Sequence, residues 1–140
     1  MKKVMVTVKT TLTDGEQKDT MELTAEGEFS IKDGAYLIKY QDMFLSGPDQ
    51  PITTRIKVSK ENAVTVTRTG AYKSRFVIEQ GKRCQSLYAT PYGNMTMGFF
   101  GKKIENRLNA SGGELELVYS VDVNNSEINC NEMFIEIKEV

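Results

Sequence analysis

Histidine and tryptophan are missing from this chain altogether, and cysteine and proline are scarce, at two and three residues. Without histidine the chain lacks the commonest general base and metal ligand of neutral pH. Cys84 and Cys130 therefore have no imidazole to activate them, and their separation is not a short metal-ligand spacing. Two cysteines are also too few for a disulfide scaffold. No glycine-rich loop of the phosphate-cradling type occurs. Carboxylate pairs do occur, at Glu26 and Glu28 and at Glu114 and Glu116, but they fall on the polar face of their segments and read as solubilising charge. We expect no catalytic residue, no metal and no cofactor. Catalysis by lysine, tyrosine or carboxylate stays open, with no pattern that points to it.

Long apolar runs are missing too. Nothing approaches the roughly 18 apolar residues of a membrane-crossing helix. The apolar run within Met1–Val8 is short for a secretory leader, and no small-residue cleavage site follows it. The expectation is a cytoplasmic protein with free thiols, in which the glycosylation-like triplets at Asn94, Asn109 and Asn124 are chance. A net charge of −1 gives no gross attraction for nucleic acid or anionic lipid. With 140 residues, 39% apolar and 26% charged, the chain suits one globular domain over residues 1–140, with a core of its own.

What the chain has in abundance is alternation of apolar and polar residues with period two, the strand signal. The clearest stretch sets Met21, Leu23, Ala25, Gly27, Phe29 and Ile31 on one face, with Glu22, Thr24, Glu26, Glu28 and Ser30 on the other. That is a strand with one dry and one wet side. Gly27 inside it predicts a bend or bulge. Similar runs begin at Val4, Tyr36, Ile52, Val64, Phe76, Cys84, Met95, Leu115 and Met133, separated by turns such as Asp33-Gly34. Around Ile104 and Leu108 the pattern fits either a continuing eighth strand or one helical turn. No window sustains a 3.6-residue period, so little or no helix is expected.

About ten short strands joined by short turns make a meander. An open sheet of that width would leave two edges and one apolar face in water, and closure removes both problems. The reading is all-β: a closed up-and-down barrel of about 8–10 antiparallel strands. A two-sheet sandwich is the alternative, which periodicity cannot separate from it.

Three motifs carry a family resemblance: Arg68-Thr69-Gly70, Tyr88-Ala89-Thr90-Pro91-Tyr92-Gly93 and Gly113-Glu114-Leu115-Glu116-Leu117-Val118-Tyr119. The chain resembles the YwiB-like domain of unknown function of Gram-positive bacteria, over nearly its whole length, and the middle motif is the specific one. The resemblance implies a calycin-type, lipocalin-like barrel and, by analogy, a ligand cavity; it implies no known activity. The family pattern places an acidic residue two positions after Tyr40, and Asp42 stands there instead of the usual glutamate.

Arg68 is the unusual residue, because it shares the inward parity of Val64 and Val66. A guanidinium inside a barrel needs partners. Two readings compete: a structural ion pair with an inward carboxylate such as Asp42, or a hook for a carboxylate or phosphate ligand. A bulge that turns Arg68 outward is the third. Tyr36, Tyr40, Tyr88, Tyr92 and Tyr119 either line a cavity or simply fill a narrow barrel. Thr90-Pro91-Tyr92-Gly93 reads first as a tight connection between strands and, functionally, as a rim presenting Thr90 and Tyr92. The ligand-binding set is thus Arg68, Tyr40, Asp42, Tyr88, Thr90, Tyr92 and Tyr119.

Charge is unevenly spread. Residues 68–107 carry a net +6 and the flanks −7, which predicts a basic face opposite an acidic one, or ordinary cross-strand pairing at the seam between them. The function expected is binding of a small, partly apolar anion within the barrel, with nucleic acid an unlikely partner for want of an RNA-binding motif. The alternative is a non-catalytic interaction or structural protein, a homodimer formed through charge-segregated faces or strand edges.

Overall fold

The computed structural model describes residues 2–41, 51–70, 73–90, 93–123 and 126–140, with backbone alone at 87–90, 93–94 and 127–128. Ten strands account for nearly all of it: β1 (Lys2–Asp14), β2 (Gln17–Lys32), β3 (Ala35–Gln41), β4 (Ile52–Val58), β5 (Val64–Gly70), β6 (Ser74–Ile78), β7 (Arg83–Thr90), β8 (Gly93–Asn109), β9 (Gly112–Val123) and β10 (Ser126–Glu139). They form one antiparallel sheet in the order β6-β5-β4-β3-β2-β1-β10-β9-β8-β7, which curls into a nearly closed barrel. Among the described residues there is no helix, and so none long and apolar enough to cross a membrane.

Alternation decides what points inward. Val4, Val6, Val8, Phe29, Ile38, Ile56, Val58, Val64, Val66, Phe76, Leu115, Leu117, Ile135 and Ile137 are all buried in one core cluster. Met21 and Ile31, near the ends of the long β2, are each 46% exposed, so the apolar face overhangs the barrel at both ends of that strand. Residues 101–108 continue β8, and the helical-turn alternative at Ile104 and Leu108 is excluded. Both side chains are buried at strand parity.

The bend or bulge expected at Gly27 does not take the form of a bulge. The register of β2 runs unbroken through it, pairing Gly27 with Val4 and with Tyr40. Glycine is needed there for space: a Cβ would sit 2.5 Å from the Lys39 carbonyl oxygen and 2.7 Å from Val6 Cγ2. The register shifts lie instead at Gly101/Lys103 and Glu127/Asn129.

A simple meander would close where first and last strands meet. Here β1 and β10 form a full ladder from Val4↔Glu139 to Thr13↔Cys130, and the weak seam falls between β6 and the β7–β8 hairpin. The turn after β6 crosses it: Gly81 N–H donates to the Gly101 carbonyl at 2.8 Å, and Gly101 N–H to that of Lys82 at 3.3 Å. Ile104 N–H, just past the bulge, donates to Gln80 Oε1 at 3.0 Å. Inside, the Phe76 ring on β6 stacks on Phe99 of β8 with centroids 4.5 Å apart. Among the described residues the barrel is thus closed there by a clasp of a few hydrogen bonds and the packing of the Phe76 ring on Phe99 and Tyr119.

Candidate functional site

The strand ends that join β1 to β2, β3 to β4, β5 to β6, β7 to β8 and β9 to β10 all gather at one end of the barrel. Near that end the inward positions turn polar. The register places Tyr40, Thr54, Arg68 and Ser74 in one row across β3, β4, β5 and β6. One layer deeper, the same strands contribute Ile38, Ile56, Val66 and Phe76, which are buried and apolar. Across the barrel, Tyr119 on β9 pairs with Asn131 on β10, both buried, and Asn131 Nδ2–H donates to Asn129 Oδ1 at 2.7 Å.

Arg68 does point inward, as its parity predicts. Its guanidinium carbon stands 5.5 Å from the centroid of the Phe76 ring, a cation–π arrangement. Phe76, Phe99 and Tyr119 form an aromatic triangle, with Tyr119 centred 6.0 Å from Phe76 and 6.3 Å from Phe99. The Nε of Arg68 is buried and makes no hydrogen bond among the described residues. An orphaned buried donor costs about 1–3 kcal/mol, more when it is charged, so it is an unusual thing for a barrel to keep.

Of the expected binding residues, Arg68, Tyr40 and Tyr119 are brought to this polar end; the two tyrosines are 4% and 5% exposed. Tyr36 sits at the opposite end of β3, half-buried, and stacks on Phe29 at 6.0 Å. Asp42 and Tyr92 lie outside the described residues, and with Asp42 goes the suggested ion pair. Tyr88 and Thr90 are backbone positions on β7, paired with Met95 and Gly93, so the motif joins two strands through residues 91–92 alone. Thr54, 1% exposed, and Asn131 were not among the expected residues. The signal existed: each is a polar residue at inward parity within an apolar alternation.

Part of the basic window over residues 68–107 resolves into cross-strand pairing, through Arg83, Lys103 and Arg107. Arg83 holds Asp122 through Nε at 2.9 Å. Lys103 and Arg107 on β8 bracket Glu105 and reach Glu114 and Glu116 on β9. Glu105 stands directly opposite Glu116, a repulsive pair that the flanking cations relieve. Lys103 foremost, then Arg107, holds the Glu105 carboxyl below its ordinary value of 4.5. Because the folded value is depressed, this network contributes at neutral pH and is lost as pH falls through the folded value. Replacing Lys103 by Met should move the Glu105 midpoint upward in a carboxyl NMR titration; an unmoved midpoint would show that Arg107 alone sets it.

Cys84 and Cys130 are unpaired. Burial, and then the charge of Glu79, pushes the Cys84 thiol up, away from the thiolate a nucleophile needs. Among the described residues no group of three acidic or thiol side chains could hold a metal ion.

The fold has a solved counterpart, the crystal structure of the ywiB protein from Bacillus subtilis. It superposes with a TM-score of 0.84 at 20% sequence identity, covering 99% of this chain and 92% of that one. No curated protein matches the sequence. The family model described as a domain of unknown function, DUF1934, matches residues 6–135, and the chain belongs to that family.

Proposed function

We propose that the polar end of the barrel binds a small anion with an apolar body, Arg68 taking the charge and Phe76, Phe99 and Tyr119 taking the body. The observation that carries this reading is the buried Arg68 Nε, with no hydrogen-bond partner among the described residues, set in a layer of inward polar groups. A planar guanidinium edge is matched by a carboxylate or phosphate oxygen, which would supply the missing acceptor. Tyr40 and Thr54 lie beside it in the same row. A reducing compartment, as in the cytoplasm, suits two unpaired thiols.

The test is a thermal-shift screen of aliphatic and aryl carboxylates and phosphate esters against the wild-type protein and Arg68→Met. A ligand at a hundred times its Kd stabilises by about 2.7 kcal/mol, or roughly 10 °C for a domain of this size. That shift should appear in the wild type and vanish in Arg68→Met. The variant itself should melt no lower than the wild type, because it removes a buried Nε–H that has no acceptor among the described residues. A screen in which nothing shifts the wild type, or in which the variant shifts equally, removes Arg68 as a hook.

A further inference from the structure

We propose that the outer face of the barrel over β3–β6 carries a second anion site, a groove that binds polyphosphate, meaning two or more adjacent phosphate groups. The groove has a volume of about 550 Å³, within the range of small-molecule sites. Lys39, Arg55, Lys57 and Arg75 line it, with Leu37 and Ala63 supplying apolar contact. No carboxylate lines it. Among the described residues none of these four cations forms a salt bridge, whereas Arg83, Lys103 and Arg107 on the neighbouring strands all do.

The arrangement works against the stability of the empty protein. Lys39 on β3 stands directly opposite Arg55 on β4, where like charges repel. Lys57 lies two residues further along the same face of β4, about 7 Å away, and Arg75 lies two strands beyond Arg55, about 10 Å away. Glu28 is the cross-strand neighbour of Lys39 on β2, yet no ion pair joins them. The Arg55 guanidinium is oriented by a 2.8 Å bond from Nη1–H to Thr69 Oγ1, and the Arg75 strand is tied to β7 by Ser86 Oγ–H donating to its carbonyl at 2.9 Å. Four cations within reach of each other, two with guanidinium forks, match a ligand with several closely spaced negative groups.

The chemistry narrows further. A groove alongside it, toward Lys32 and Lys60, also holds Asp33 and Glu61, so carboxylates enter the lining there and are absent from that of the first groove. That favours a compact ligand over an extended one. No aromatic side chain lines the groove, so it lacks the stacking platform with which proteins hold single-stranded nucleic acid.

Titration calorimetry with inorganic tripolyphosphate and with ATP, at about 50 mM salt, tests the proposal. Both should bind, and affinity should fall severalfold by about 200 mM salt as the charges are screened. Binding of ATP without tripolyphosphate would mean that the nucleoside and not the phosphate groups is recognised, and would overturn the proposal. The double variant Arg55→Gln, Lys57→Gln should weaken binding at least tenfold while melting no lower than the wild type, since it relieves the Lys39–Arg55 repulsion. Arg68→Met should bind as the wild type does, which separates this groove from the barrel interior. The proposal is overturned if neither probe binds, if the double variant binds undiminished, or if only a single-stranded oligonucleotide binds.

Discussion

Replacing Phe76 by alanine is expected to destabilise the barrel by about 4 kcal/mol, a fall of roughly 15 °C in Tm. Its ring is 4% exposed and serves three neighbours at once: Phe99 across the seam, Tyr119 and the Arg68 guanidinium. Alanine leaves a ring-sized void at the seam, where no continuous strand ladder helps to hold the walls together. It also strips the apolar support from beneath the Arg68 guanidinium. Phe76→Leu keeps most of the volume and should lose only about 1–2 kcal/mol. Chemical denaturation of both variants checks the pair. If leucine costs nothing, the ring stack contributes nothing beyond bulk; if alanine and leucine cost the same, the void is not what destabilises the seam.

The second large effect is expected from Gly101→Val. A Cβ at this position would collide with the Glu79 carbonyl group, its carbon 2.7 Å away, and would lie 3.1 Å from the Gln80 nitrogen. These are backbone atoms and cannot step aside as a side chain could. The turn over residues 79–82 must therefore leave β8, taking with it the Gly81–Gly101 and Gly101–Lys82 bonds and the bond from Ile104 to Gln80. A loss of about 3 kcal/mol follows from three such bonds at roughly 1 kcal/mol each. Hydrogen exchange would localise it: the Gly81 and Ile104 amides should lose protection while the β1–β10 ladder keeps its own. Equal protection in the variant and the wild type at both amides would refute the clasp.

Much of this architecture was legible in the sequence because period two is a local property. Val64, Val66 and Arg68 share a parity, so the inward arginine followed from counting. The strand through Ile104 and Leu108 was less plain, since an i,i+4 pair suits either state until β9 pairs with it. Gly27 misled for another reason: glycine in a strand signals either a bulge or a close neighbour, and only the position of Val6 and Lys39 distinguishes them. The seam was invisible, because which strands share full ladders depends on contacts across the whole barrel. The charge window was legible in part, since cross-strand pairing was one of its two readings. It counted Lys103 and Arg107, which β9 neutralises, and left out Lys39, Arg55 and Lys57, which nothing among the described residues neutralises. The polar end was half visible: Arg68, Tyr40 and Tyr119 announced themselves, while Thr54 and Asn131 looked like ordinary strand residues.

The ladder between β1 and β10 also sets a clock. Lys2 and Glu139, 137 residues apart in sequence, are joined by a 2.6 Å ion pair beside that ladder. During synthesis Val4, Val6 and Val8 can pair with β2 within moments, but their other edge must wait for β10 to be made. At about 5–20 residues per second that interval is on the order of ten seconds, during which a β-rich nascent chain presents an open edge. Pairings of such long range are also slow to form. The nine strands made first lack the partner that covers this edge of β1, so the barrel described here is complete only once β10 has been made.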